Sequence, residues 1–319
     1  MTVRARLYDA RGEDREIELT HEAVGAVSDR RLLWVDLDER SDDALARLAG
    51  ALELEDRIIA QLRTDRRRSR LLRFPDRIVV TLGALERVDD KVSRRELDVI
   101  VGRNLVVTVH DGPLGAIEDF DHELREENVL GQLDAGAFMT GLIDSVLAGY
   151  FREIDEIDRR IDALDHAALR AIESEQFLPN VVAIRRQIAV VRRALTPNRE
   201  ALGPLVRPDF EVHEDVVRAW PGTLERLERA IDAIEKSREL LVGSFDIYLG
   251  QAAHRSNDVM KILTILSAIV LPGVVLAGVM GMNFQIPFFD EPQNFWLVIG
   301  AMVVFATVIL VMARWRRWL

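Results

Sequence analysis

The chain has 319 residues, of which 49% are hydrophobic and 30% charged, and a formal net charge of −11. The average conceals a split. From Asn257 onward four basic residues (Lys261, Arg314, Arg316, Arg317) face three acids (Asp258, Asp290, Glu291), which leaves −12 on the first 256 residues. That imbalance excludes a simple soluble globule, and an acidic N-terminal portion argues against a nucleic-acid partner, whose phosphates it would repel. With no cysteine there is no disulfide, thiolate zinc site or cysteine nucleophile. None of the three lysines (Lys91, Lys236, Lys261) follows a glycine, so the lysine-bearing phosphate loop is absent. The opening MTVRARLYDARGEDREIEL lacks the apolar core of a cleaved signal peptide.

Residues 1–130 read as a mixed α/β domain. Short β-branched runs predict strands at Val3–Tyr8, Glu16–Leu19, Leu32–Leu37, Ile78–Leu85, Leu97–Gly102 and Leu105–His110. Helices are expected at Asp42–Leu52 with Ser41 as N-cap, at Glu55–Arg63 and at Pro113–Glu127. Residues 131–222 turn helical. Ile143, Leu147, Tyr150, Ile154, Ile157, Ile161 and Leu164 keep a helical apolar spacing, and Val181, Ile184, Ile188, Val191, Leu195 and Leu202 repeat it after Pro179. The pair predicts an antiparallel hairpin with Glu153, Asp155, Glu156, Asp158, Asp162 and Asp165 on its solvated side, a charge run able at most to concentrate cations weakly.

From Thr223 to Leu271 there is no proline and only Gly243 and Gly250 among the glycines, and Pro221 suits a first helical turn. A helix from Thr223 to Gly281 would be about 88 Å long. Its first part carries a coiled-coil-like seam at Leu224, Leu227, Ile231, Ile234, Arg238, Leu241, Phe245, Tyr248 and Ala252. Ile262–Met282 is 21 residues without a charge and Phe295–Ala313 is 19. Each is long enough to cross a bilayer core of about 30 Å. The linker 284–294 has two acids and no basic residue, whereas Arg255, Lys261, Arg314, Arg316 and Arg317 flank the spans. The positive-inside rule places the linker outside and the first 256 residues and the basic tail of 295–319 in the cytoplasm. A second stripe, Asp246, Leu249, Ala253, Ser256, Met260, Leu263, Ser267, Leu271, Val274 and Gly278, follows the same helix. It is either a packing face rich in small residues or a pore face repeated around an oligomer, since two spans per chain cannot enclose a channel.

The six histidines are scattered without zinc spacing, and Asp36, Asp38, Asp42 and Asp43 lack the glycine and terminal glutamate of a calcium loop. These read as surface residues. No nucleophile–base signature points to an enzyme.

The first span closes in Gly281-Met282-Asn283, Pro272 lies nine residues upstream of that tripeptide, and the chain ends Arg316-Arg317-Trp318-Leu319. With a short loop, one further span and the stretch DIYLGQAAHRSNDVMKILT (246–264), this resembles the CorA superfamily of divalent cation transporters, which includes magnesium-transporting CorA and zinc-transporting ZntB proteins. The resemblance implies an α+β cytoplasmic domain, a long stalk helix and two transmembrane helices per chain, assembled into a funnel-shaped homopentamer in the inner membrane, multi-pass, with both termini cytoplasmic. Gly281, Met282 and Asn283 would form the selectivity filter. Asn283 would hold the metal through ion-bound water, with Gly281 permitting a tight turn. Asp246, Leu249, Ser256, Met260, Leu263, Ser267, Leu271, Val274 and Gly278 would line the pore, Pro272 would kink the helix, and Asp290 and Glu291 would attract cations.

The implied function is a divalent cation channel or transporter. Magnesium is the first expectation, a zinc, cobalt or nickel transporter with proton coupling the alternative, and a membrane-anchored metal-sensing scaffold the remote one. The implied partners are identical subunits and the lipid bilayer. The only cofactor expected is the transported ion, which could also regulate. Several positions depart from the magnesium pattern. Met280 stands where an aromatic residue usually precedes the tripeptide, Val274 replaces a pore hydroxyl, and the stalk acid used for magnesium sensing falls on Gly222. Ile184–Arg199 (IRRQIAVVRRALTPNR) looks more like the ZntB branch.

Overall fold

The computed structural model describes residues 3–9, 14–25, 27, 31–64, 68–89, 91–126, 135–169, 176–206, 214–282 and 292–316. The elements in order are β1 (Val3–Asp9), β2 (Arg15–Ile17), α1 (His21–Gly25), β3 (Arg31–Leu37), α2 (Asp42–Leu52), α3 (Asp56–Leu62), β4 (Arg70–Arg73), β5 (Arg77–Val88), β6 (Lys91–Gly102), β7 (Leu105–Val109), α4 (Gly115–Glu126), α5 (Ala135–Leu169), α6 (Phe177–Leu202), α7 (Glu214–Met280) and α8 (Pro292–Trp315). Two compact units emerge: residues 1–167 with 173–244, and residues 168–172 with 245–319. Helix α7 contributes to both.

The first unit is built on a seven-stranded sheet in the order β2-β1-β3-β7-β6-β5-β4. Only β3 and β7 run parallel, from Leu33 beside Leu105 to Leu37 beside Val109. Alternation along the strands sends Leu33, Val35, Leu37, Val107 and Val109 to one face, where they meet Leu45, Leu48, Ile58 and Leu62 of α2 and α3 in one apolar core. Helix α2 starts as its sequence dictates. The Ser41 hydroxyl accepts from the Ala44 amide, and Asp42 and Asp43 lie in the first turn, where carboxylates suit the positive end of the helix. On the other face Tyr8, Trp34, Phe120 and Phe138 form an aromatic cluster with ring centroids 4.9–6.2 Å apart, mostly tilted or edge-on as ring quadrupoles prefer.

Strand β4 and helix α1 were not anticipated from the pattern, because RLLR and HEAVG are too short to show a period. Strands β5 and β6 are both longer than expected, 12 residues each, since their pairing continues through the polar ends to Val88 and Lys91.

The hairpin's two apolar seams are buried as the spacing predicts, Val181 excepted, which is only half-buried. The slot between Leu195 and Leu202, where the apolar series skips a position, holds Asn198, 2% exposed. Its Oδ1 accepts from the Gly83 amide (2.8 Å) and the Ser69 hydroxyl (2.7 Å), and its Nδ2 donates to the Gly83 carbonyl (2.9 Å). The Tyr150 hydroxyl of α5 donates to that same carbonyl at 2.6 Å. Strand β4 pairs with β5 only as far as Arg70 beside Thr81. Asn198 thus gives Gly83, two residues further along β5, the donor and acceptor that a longer β4 would supply. A Cβ at Gly83 would lie 2.6 Å from Arg94 Nε and 3.0 Å from the Ala194 carbonyl, so glycine is what lets α6 approach.

The solvated side of α5 is less acidic than expected. Glu153 is 9% exposed and receives a two-pronged contact from Arg87 at 3.0 and 2.6 Å. Asp158 accepts from the Ser237 hydroxyl at 2.6 Å. Both turn inward because each has a donor to meet.

Helix α7 packs beside the hairpin. The pairs Arg226–Asp144 (3.7 Å) and Ser237–Asp158 set it parallel to α5. The pairs Arg199–Glu228 (3.2 Å) and Arg192–Glu235 (3.3 Å) set it antiparallel to α6. Its buried seam is Thr223, Leu227, Ala230, Ile234, Ser237, Leu241 and Ser244. This shares Leu227, Ile234 and Leu241 with the expected seam but is rotated away from Leu224, Ile231 and Arg238. Small residues take the alternate positions and the larger ones stay half-buried or exposed. The helix also begins at Glu214, ahead of the expected start, and continues through Pro221. Proline gives up one backbone bond there, while its neighbour Trp220, fully buried, donates its indole N–H to the Leu202 carbonyl at 3.3 Å and secures the turn.

Candidate functional site

The expected ion path lies on α7 beyond Phe245. Asp246, Leu249, Ser256, Met260, Leu263, Ser267, Leu271, Val274 and Gly278 all fall on this one uninterrupted helix, and all are exposed in the single chain. So are Val259, Ile262, Leu266, Val270 and Val275. The helix therefore shows apolar side chains to its surroundings on all sides. Among the described residues from Phe245 onward only Ile265 and Ala313 are buried. The most apolar stretches of α7 and α8 have mean hydropathies of 2.5 and 2.7 and are 6% and 0% buried. A core helix of a soluble protein would be covered; helices this long, apolar and bare suit a bilayer, where every backbone group must be satisfied within the helix.

The helix passes through Pro272 and Gly273 unbroken and ends at Met280. The Gly281 amide then bonds the Ala277 carbonyl at 2.9 Å and the Met282 amide bonds Val279 at 3.1 Å, closing the last turn. Gly281 does not adopt a left-handed conformation, and a Cβ there would sit 3.4 Å from the Ala277 carbonyl, at the edge of ordinary contact. The tight turn implied by the resemblance thus makes no demand on glycine's freedom at this residue. Asn283, Asp290 and Glu291 lie outside the described residues. Gly222 is exposed on α7, with nothing within 4 Å of where a Cβ would stand.

Elsewhere, two groups read as surface residues are in fact interior. At the C-terminal ends of the parallel strands, Asp36 and His110 are 4% and 3% exposed. The His110 Nδ1 lies 2.7 Å from the Gly112 carbonyl, and its Nε2 lies 3.2 Å from Asp36 Oδ1, which also accepts from the Thr108 hydroxyl. Both ring nitrogens face acceptors, an arrangement that suits the doubly protonated ring. Burial works against that charge, but the hydrogen bond and charge of Asp36 and the Gly112 carbonyl outweigh it and raise the His110 pKa. Nearby, the buried Arg40 guanidinium pairs with Asp98, which is fully enclosed, and donates to the carbonyls of Leu62, Glu96 and Val109. These are satisfied structural pairs. Among the described residues no group of three or more histidine, aspartate or glutamate side chains is placed to hold a metal ion.

An α/β unit whose last helix continues into a bare, membrane-length apolar stretch, with a second such helix after it, fits the class of proteins with two candidate membrane spans near the C-terminus. The family described as "CorA-like Mg2+ transporter protein" matches residues 29–314, and the chain belongs to this family of ion transporters. It is similar to the cobalt/magnesium transport protein CorA of Thermotoga maritima, 26% identical over 76% of this chain and 70% of that one. It is also similar to the zinc transport protein ZntB of Pectobacterium carotovorum, 23% identical over 92% of this chain and 90% of that one. The complete structure of the CorA magnesium transporter of Methanocaldococcus jannaschii shares its fold, with a TM-score of 0.83, 22% identity and full coverage of both chains.

Proposed function

We propose that this member of the CorA family, a divalent cation transporter, carries magnesium across the inner membrane through a central pore formed by several copies of α7. The observation that carries the reading is chemical. The uncharged end of α7, one of two stretches long and apolar enough to cross a membrane, is followed in the sequence by Gly281-Met282-Asn283, and that sequence offers a neutral amide rather than a carboxylate at the mouth. Magnesium sheds water reluctantly. A ring of Asn283 amide oxygens would accept hydrogen bonds from its water shell without trapping the ion by charge, and Asp290 and Glu291 would raise the local cation concentration.

Two spans per chain need several copies to enclose a pore, and a homopentamer is the assembly proposed, with the α/β domain and both chain ends in the cytoplasm. Zinc is the second reading. It is favoured by Met280 and Val274, which depart from the magnesium pattern, and by the similarity to a zinc transport protein. Flux into proteoliposomes containing magnesium-sensitive or zinc-sensitive dye, with and without a pH gradient, separates them. Magnesium entry independent of the gradient is the expected result. Zinc entry that needs the gradient, without magnesium entry, would replace the first reading by the second.

A further inference from the structure

The contact between the parallel helices α5 and α7 carries polar groups where a packed seam is usually apolar. Ser237 and Ser244 lie in the buried seam of α7, 0% and 1% exposed. They are seven residues apart, and so are Asp158 and Asp165 of α5. Seven residues are close to two turns on either helix, so a contact made at one level recurs at the next. Asp158 meets Ser237, and the same register brings Asp165 level with Ser244.

The two levels are in different states. At the first, the Ser237 hydroxyl lies 2.6 Å from Asp158 Oδ1 and 3.1 Å from the Ala233 carbonyl, four residues back. Its single hydrogen goes to the carboxylate, the stronger acceptor. At the second, Ser244 holds the same posture, with its hydroxyl 3.0 Å from the Leu240 carbonyl. Here the carboxylate does not engage. Asp165 Oδ1 is buried and has no hydrogen-bond partner among the described residues. An unmet buried acceptor costs free energy, and a preset donor stands at its level. Ser244 is also the last residue of the first unit before α7 runs on into the second.

We propose that Asp165 and Ser244 form a latch, open in this structure, that closes when α7 draws in against α5. On closing, the Ser244 hydroxyl changes acceptor from the Leu240 carbonyl to the Asp165 carboxylate, and no covalent bond is altered. The Asp158–Ser237 contact stays made in both states and is the fixed point about which the following turns of α7 move. Because α7 is one uninterrupted helix from Glu214 to Met280, the state of the latch sets how its continuation leaves the first unit. Its effect on ion flux rests on the proposed pore; the two states of the contact do not.

The chain has no cysteine, so a pair of introduced thiols reports on one contact. Full-length Asp158→Cys/Ser237→Cys and Asp165→Cys/Ser244→Cys proteins in proteoliposomes are oxidised with copper phenanthroline, and the intrachain disulfide is followed by mass spectrometry. Both pairs should cross-link to completion, the second about tenfold or more slowly, because it waits for a minor closed state. Magnesium entry is then read with a magnesium-sensitive dye. The 165–244 disulfide should change it about fivefold or more, reversibly with reductant, and the 158–237 disulfide should leave it unaltered. Without thiols, Ser244→Ala and Asp165→Ala should have non-additive effects on hydrogen exchange of the α7 amides around Ser244. Failure of the 165–244 pair to cross-link, cross-linking as fast as the 158–237 pair, strictly additive exchange effects, or a 165–244 disulfide without effect on an active protein would each overturn the latch. If the wild type admits no magnesium, the proposed function fails instead, and the cross-linking rates and exchange effects decide the latch by themselves.

Discussion

Replacing Asn198 by alanine should loosen the α/β unit more than any exposed substitution of similar size. Asn198 is 2% exposed and satisfies the Gly83 amide at 2.8 Å and the Ser69 hydroxyl at 2.7 Å. The Gly83 carbonyl keeps a second donor, the Tyr150 hydroxyl at 2.6 Å, so the alanine variant strands one buried N–H and one buried hydroxyl. At about 1–3 kcal/mol for each unsatisfied buried group, partly relieved by relaxation, the loss should be about 2–4 kcal/mol. That is about 1.5 to 3 decades in the opening equilibrium. Hydrogen exchange of the full chain reads it locally: amides of β5 around Gly83 and of the C-terminal half of α6 should exchange faster by that factor. Exchange in α7 beyond Phe245, in the other unit, should hold steady. An acceleration below about threefold at Gly83 would show that the amide is not what ties α6 to the sheet.

Other consequences are equally direct. His110 has a folded pKa above its unfolded value of about 6.5, so its contribution is complete below that pH and is lost as pH rises through the folded value. Resistance of the α/β unit to urea should therefore fall as pH rises above the unfolded value and through the folded one, and His110→Gln should flatten that slope; an unchanged slope in the variant would reject the charged assignment. The rotated seam of α7 predicts that Ala230→Leu, at a fully buried position, overpacks and costs about 1–3 kcal/mol in chemical denaturation, while Ile231→Ala, at a half-buried one, costs less. The reverse order would restore the seam expected from large apolar residues. For assembly, native mass spectrometry in mild detergent should show a pentamer; a stable dimer as the sole species would contradict the proposed pore.

The sequence reveals elements where one periodic signal dominates. The α5 seam from Ile143 to Leu164 is readable because every slot is large and apolar, and α2 because Ser41 and the following acids mark its start. The α7 seam is misread because alanine and serine at 230, 237 and 244 carry little hydrophobic signal, yet they are the residues that allow close packing. Asn198 leaves a trace, the missing apolar slot between Leu195 and Leu202. Asp36 and His110 leave none, since their burial depends on strands β3 and β7, which start at Arg31 and Leu105, far apart in the sequence, meeting in parallel. Along the proposed ion path, the spacing of Asp246 to Gly278 places these residues on one helix, but in a single chain every side of that helix is bare. Which side would face a pore depends on contacts between copies in the proposed assembly, and those are not written in one chain's periodicity.

In the proposed pore, a neutral amide ring at Asn283 selects the transported ion. That role is tested most directly by magnesium uptake into proteoliposomes containing wild-type or Asn283→Ala protein, after both have been shown to assemble alike. Dye-reported magnesium entry is expected for the wild type and its loss in the variant. Equal magnesium entry through a correctly assembled Asn283→Ala protein would contradict it.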